Sequence, residues 1–230
     1  MQPHASQLEQ SITWDPGPQP NSYLMDLIIS STTIGEVVGL GDEQVIHQRQ
    51  SRTELDSHAN MAVVGSCAYI IGDTGRTVEV NPFTPQYESL KDVKVVDAAL
   101  LYVCNYTCRE VLLIIRNALY IPSMHNNLIP PFIIREAGVT INDTPKIHMK
   151  EPGVDDHAII FNTDNFRIHL KLHGIFSYLP TSKPTKSQIL DCEDVYLLSP
   201  EHKWNPHDEA YAHNEDSILD HEGNIKEHRD

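Results

Sequence analysis

Two long apolar runs, residues 93–103 and 110–120, set the strongest limit on how this chain folds. Both are rich in β-branched and aromatic side chains, which fit a pleated, half-buried surface better than a helix. The five residues between them, Cys104-Asn105-Tyr106-Thr107-Cys108, make a wide turn, so the pair is expected as a β-hairpin. Shorter runs of the same kind flank it. Ala62-Val63-Val64, Ala68-Tyr69-Ile70-Ile71 and residues 77–80 read as strands, with Gly72-Asp73-Thr74-Gly75 as a turn and Asn81-Pro82 as a stop. Residues 139–141, 157–161, 166–172 and 175–179 read the same way, Pro180 closing the last. One helix interrupts the pattern. Pro130 and Pro131 can open a helix but not continue one, so residues 132–137 form a short helix that Gly138 ends. The expected fold class is mainly β with one short helix.

Composition places that core within the 230 residues. An apolar fraction of 40% with 15 prolines points to one packed unit with loosely ordered ends. Residues 1–43 are expected as a mostly disordered leader, rich in Gln, Pro, Ser and Asn up to residue 22, with an apolar stretch over 24–38 that could pack. Residues 44–180 form the domain. Residues 181–230 read as a linker and an acidic tail holding His202, His207, His213, His221 and His228. Those histidines lack the close spacing of a metal site, and so do Cys67, Cys104, Cys108 and Cys192; no metal and no cofactor are expected. A net charge of −15 opposes binding to nucleic acid or an anionic membrane. With no apolar span or signal core, the chain is expected in the cytoplasm.

The chemistry centres on Glu54-Leu55-Asp56-Ser57-His58-Ala59-Asn60. An aspartate followed by a hydroxyl residue at the end of an extended run is a common turn or N-cap, because both side chains bond nearby backbone amides. Here the loop also resembles the Asp-Ser/Thr-Gly-Ala loop of retroviral-type aspartic proteases. Asp73-Thr74-Gly75 spells that triplet more closely, yet Gly72 before it and Arg76 after it suit a plain turn. Asp97 lies in mid-strand and is followed by Ala98.

Downstream, Asn117-Ala118-Leu119-Tyr120-Ile121-Pro122-Ser123-Met124-His125-Asn126-Asn127-Leu128-Ile129 is similar to a stretch of Ty1/copia-type retrotransposon proteases. Together, residues 53–141 resemble the retropepsin-like protease segment of a copia-like Pol polyprotein. That resemblance implies a closed β-barrel or sandwich in which an apolar pair, within the second loop Asn127-Leu128-Ile129, runs beside the active-site strand and leads into a short helix. It implies Asp56 as the catalytic aspartate, Ser57 as the hydroxyl bracing two loops across a dimer, and Ala59 as the small residue behind the loop. The hairpin 93–120 would carry the flap. His58 stands where the family keeps glycine, and Pro130 follows Ile129 where a glycine often ends the second loop.

An enzyme of this kind needs two carboxylates sharing a proton across a water molecule. One chain offers one suitable loop, so the second aspartate must come from another copy and the active form is a homodimer. The implied function is an aspartic endopeptidase acting on a peptide or polyprotein substrate. Two other classes compete with it. One is a catalytically inactive module of the same fold that binds peptides or proteins by strand addition. The other is a metal-dependent hydrolase built from the histidines and acids, which no ligand motif favours.

Overall fold

The computed structural model describes residues 22–27, 51–82 and 88–226. The leader expected over 1–43 lies outside these, apart from β1 (Ser22–Leu27), which pairs in parallel with β4 (Tyr69–Pro82). The protein is mainly β. Its strands follow the apolar runs, because a strand with both faces covered must be apolar at nearly every position. β5 (Leu90–Val103) and β6 (Glu110–Tyr120) pair antiparallel and form the centre of the main sheet, with Leu100, Leu113, Ile115 and Leu119 fully buried. Each such side chain contributes about 1.5–3 kcal/mol relative to exposure.

Around this hairpin the main sheet builds outward. β2 (Ser51–Leu55), β3 (Val63–Val64), β7 (Asn127–Ile129), β11 (Lys171–His173) and β12 (Phe176–Thr181) complete the strand order β1-β4-β5-β6-β3-β7-β2-β12-β11. β13 (Val195–Leu197) pairs in parallel with β6, on the edge that β3 shares farther along. That path has two ends, so the closed form of the expected barrel or sandwich is not seen, although an isolated bridge between Leu101 of β5 and Ser182 just past β12 joins strands far apart in the order. A second, three-stranded sheet holds β8 (Thr140–Asn142), β9 (Ala158–Phe161) and β10 (Phe166–His169).

Several local expectations change. Asp73-Thr74-Gly75 is not a hairpin turn but a bulge inside the long strand β4, where the register against β5 slips between Asp73 and Arg76. Gly75 takes φ +72° and donates its N–H to Asp73 Oδ1, the shape a bulge needs and one that glycine adopts freely. The run 166–172 splits at Leu170 into β10 and β11, which belong to different sheets. Pro180 does not end β12. It pairs with Arg52 beyond the last residue matched by β11, where one side of the strand has no β11 ladder for a missing N–H to break.

The helix count also differs: three helices occur among the described residues, not one. α1 (Pro131–Glu136) is the expected helix, with Pro131 at its first position, Ile133 and Ile134 buried and Gly138 at φ +74° beyond its end. α2 (Lys186–Asp191) begins in the segment read as a linker. Thr185 and Gln188 cap it reciprocally, each side chain bonding the other's backbone N–H. α3 (Ala210–Ile218) follows in the acidic tail.

Residues 192–204 are likewise part of the packed body. The Asp194 carboxylate receives two bonds of 2.6 Å from Arg109, Leu198 is fully buried and Trp204 is 7% exposed. Arg109 lies 4.8 Å over the Phe166 ring, and the Phe161 and Tyr196 rings pack nearby at a tilt of 41°, 4.4 Å between centroids. The sequence signal for this strap is weak, since its one apolar run, Val195-Tyr196-Leu197-Leu198, is short and stands between acidic residues and Ser199-Pro200. No described helix is long and apolar enough to cross a membrane.

Candidate active site

β2 delivers Asp56 to its position. It lies between β7, parallel, and β12, antiparallel, so its direction is fixed on both sides. The ladder to β7 continues one step past the strand: Asp56 N–H donates to Ile129 O at 3.2 Å. Behind it, the Thr53 and Thr181 hydroxyls meet at 2.9 Å. Asn127 is fully buried and ties three segments together, donating to Thr53 Oγ1 at 3.2 Å and accepting from Gly65 N–H at 2.9 Å. That second bond needs the backbone of Gly65 very close to the next turn. A Cβ on Gly65 would fall 2.3 Å from Met124 O, so only glycine fits.

The loop itself is tight. Asp56 Oδ1 accepts from His58 N–H at 2.9 Å, which closes the turn. Asp56 Oδ2 is buried with no hydrogen-bond partner, on a side chain only 10% exposed. Ser57 and His58 face outward, while Ala59 and Met61 are buried beneath. His58 is 72% exposed, and its Nδ1 lies 3.4 Å from Ser57 Oγ and 3.9 Å from Asp56 Oδ1. Its backbone φ is not positive, so a side chain at this position carries no left-handed strain. Glycine's conformational freedom is therefore not required here.

Asp56 opens onto a cleft of about 620 Å³. Leu55, Pro131, Pro145, Ile175 and Phe176 give it apolar walls; Glu54, Asp143 and Ser177 add polar groups. Of the sequence candidates, Asp56, Ser57 and His58 line this cleft. Ala59, Asn127, Leu128 and Ile129 lie behind it as supports. No residue of 93–120 lines it, because that hairpin is the buried centre of the sheet. The flap expected there is absent from this cleft. What borders the cleft instead is the β11–β12 hairpin, whose two-residue tip is Gly174, at φ +60°, and Ile175, 88% exposed. Sequence reading placed strands on both sides of this turn but gave the hairpin no role. The available signal is Gly174, a turn residue between two strand-like runs.

Beside the cleft, His157 Nε2 and Ser177 Oγ are 2.9 Å apart. Burial holds the His157 imidazole below its ordinary pKa of 6.5; Lys146 adds to that effect and Asp143 opposes it. Asp73, the rival aspartate, instead forms a 2.9 Å ion pair with Lys94, which with the Gly75 N–H keeps its carboxyl below the usual range. No group of three or more His, Cys, Asp or Glu that could hold a metal occurs among the described residues. No protein-family model, no curated protein and no solved structure matches the chain.

Proposed function

We propose that this chain is a retropepsin-like aspartic endopeptidase, of the kind that processes a Ty1/copia-type retrotransposon polyprotein, with Asp56 from each of two chains sharing one water. The observation that carries the reading is the unpartnered Oδ2 of Asp56, nine-tenths buried at the edge of a cleft. A buried acceptor left without a donor costs about 1–3 kcal/mol. A water, or the proton shared with a second aspartate, would relieve that cost. Further support comes from β7, whose Leu128 and Ile129 pair beside β2 and whose chain runs directly into α1.

In this mechanism one carboxylate takes a proton from the water as its oxygen attacks the peptide carbonyl carbon. The protonated partner donates to the carbonyl oxygen; as the tetrahedral carbon collapses it takes that proton back, and the first carboxylate passes the water's proton to the departing amine. The apolar walls of the cleft accept a side chain next to the cut bond, and the extended substrate binds as a strand.

A second reading, the same fold without catalysis, is favoured by His58 Nδ1 at 3.9 Å from Asp56 Oδ1. An exposed imidazole so close to the carboxylate takes up space that a second loop would have to fill. The test is cleavage of a mixed peptide library by the full-length protein, wild type beside Asp56→Asn. The protease reading expects cutting by the wild type alone, blocked by a pepstatin-type inhibitor. Cutting by the variant rules out Asp56 chemistry, whereas a folded dimer that binds peptides without cutting them supports the second reading.

A further inference from the structure

We infer that Trp204 is a positioning residue for the Asp56 loop, which makes the C-terminal strap a working part of the site and not an appendage. The inference deepens the protease reading and rests on it for its catalytic consequence. Trp204 lies far from Asp56 in sequence, yet its indole Nε1–H donates to the backbone carbonyl of Asn60 at 2.8 Å. Asn60 belongs to the short turn whose other end is Asp56, fixed by His58 N–H on Oδ1 and by Ile129 O on the Asp56 amide. The near end of the loop is thus pinned by β7 and its far end by Trp204.

The strap is built to hold that indole in place. Leu198 N–H donates to Ile114 O at 2.8 Å, Ser199 Oγ accepts from Arg116 N–H at 2.6 Å, and Asn117 Nδ2 donates to His202 O at 3.1 Å. Each bond ties the strap to β6 on the approach to Trp204. The ring then packs with Phe132 of α1 at 6.1 Å and Tyr211 of α3 at 6.0 Å. With 7% exposure, the indole N–H has no water to turn to, so the Asn60 carbonyl is held at a fixed point. A loop that must present a carboxylate to within a fraction of an ångström gains from such a rigid backing.

The test uses full-length protein with Trp204→Phe, which keeps an aromatic ring and removes the N–H, and Trp204→Ala, which removes both. Hydrogen exchange read by mass spectrometry gives a measure that does not depend on activity. The expected result for Trp204→Phe is at least tenfold faster exchange across residues 57–62, with protection of β5 and β6 unchanged. For a peptide the wild type cuts, kcat falls about tenfold or more while KM changes less than twofold, and Trp204→Ala is worse in both measures. Unchanged loop exchange in Trp204→Phe overturns the inference, as does a loss of protection spread evenly over the sheet. Should the wild type cut nothing, the protease reading fails, and loop exchange alone decides whether Trp204 positions the loop.

Discussion

His58 departs from the protease loop that this turn resembles without straining its own backbone. Glycine in such a loop is required by either a positive φ or a close backbone approach, and neither occurs at this position within the chain. His58→Gly is therefore expected to cost about 0.5–1 kcal/mol of stability through the greater freedom of the unfolded chain, measured by urea denaturation. Peptide cleavage should stay within about threefold of wild type; a gain above tenfold would show that the imidazole suppresses the carboxylate pair. A second histidine makes a pH prediction. His157 is held below its ordinary pKa of 6.5 by burial, so below that pH the unfolded chain binds more protons than the folded one. Its contribution to stability is whole above pH 6.5 and is lost as pH falls toward the folded value. Asp194 also has a lowered pKa, set first by its bonds to Arg109, and its contribution disappears only below about pH 3.8, the ordinary carboxylate value. Thermal unfolding from pH 7 to 4.5 should fall less steeply in His157→Gln than in wild type. Equal slopes would mean that His157 is not held neutral.

At the scale of elements, the strands were legible where pattern and burial agree. Residues 93–103 and 110–120 became β5 and β6, and two prolines followed by Gly138 framed α1. Less was legible where a strand gains its partners from far away. β13 is only three residues long and is stabilised by β6, Arg109 and the Phe161 and Phe166 rings, none of which is local to it. The site divides in the same way. Asp56 and residues 127–129 were singled out as candidates by the resemblance over 53–141, whereas the cleft wall at Ile175 depends on β12 pairing with β2. That wall can be tested separately from the core. Ile175 is 88% exposed, so Ile175→Asp should change stability by less than about 0.5 kcal/mol. The same change should weaken binding or cleavage of peptides with a large apolar residue by about tenfold, read from KM or from fluorescence anisotropy. No change would remove the β11–β12 hairpin from substrate recognition.

For the whole molecule, the proposed site, with one aspartate from each of two chains, sets a concentration law. The cleavage rate per chain should rise with protein concentration and level off as dimers saturate, with sedimentation showing the same midpoint. Mixing wild type with excess Asp56→Asn should suppress activity, since most wild-type chains would then sit in mixed pairs. A rate per chain that stays flat down to concentrations where only monomer sediments would exclude a shared site. An acidic chain of net charge −15 should also associate more readily as salt rises, because like-charge repulsion between copies is then screened.

The order in which β2 finds its neighbours has a consequence for synthesis. β2 ends at Leu55, yet its parallel partner ends at Ile129, its antiparallel partner at Thr181, and the indole behind its loop is residue 204. A chain emerging from the ribosome therefore exposes Asp56 long before any of these arrives. Pairings so distant along the chain form late and slowly. If Asp56 is catalytic, as proposed, the nascent protein has no activity until almost all of the described chain has been made, a delay written into the topology and needing no separate inhibitor.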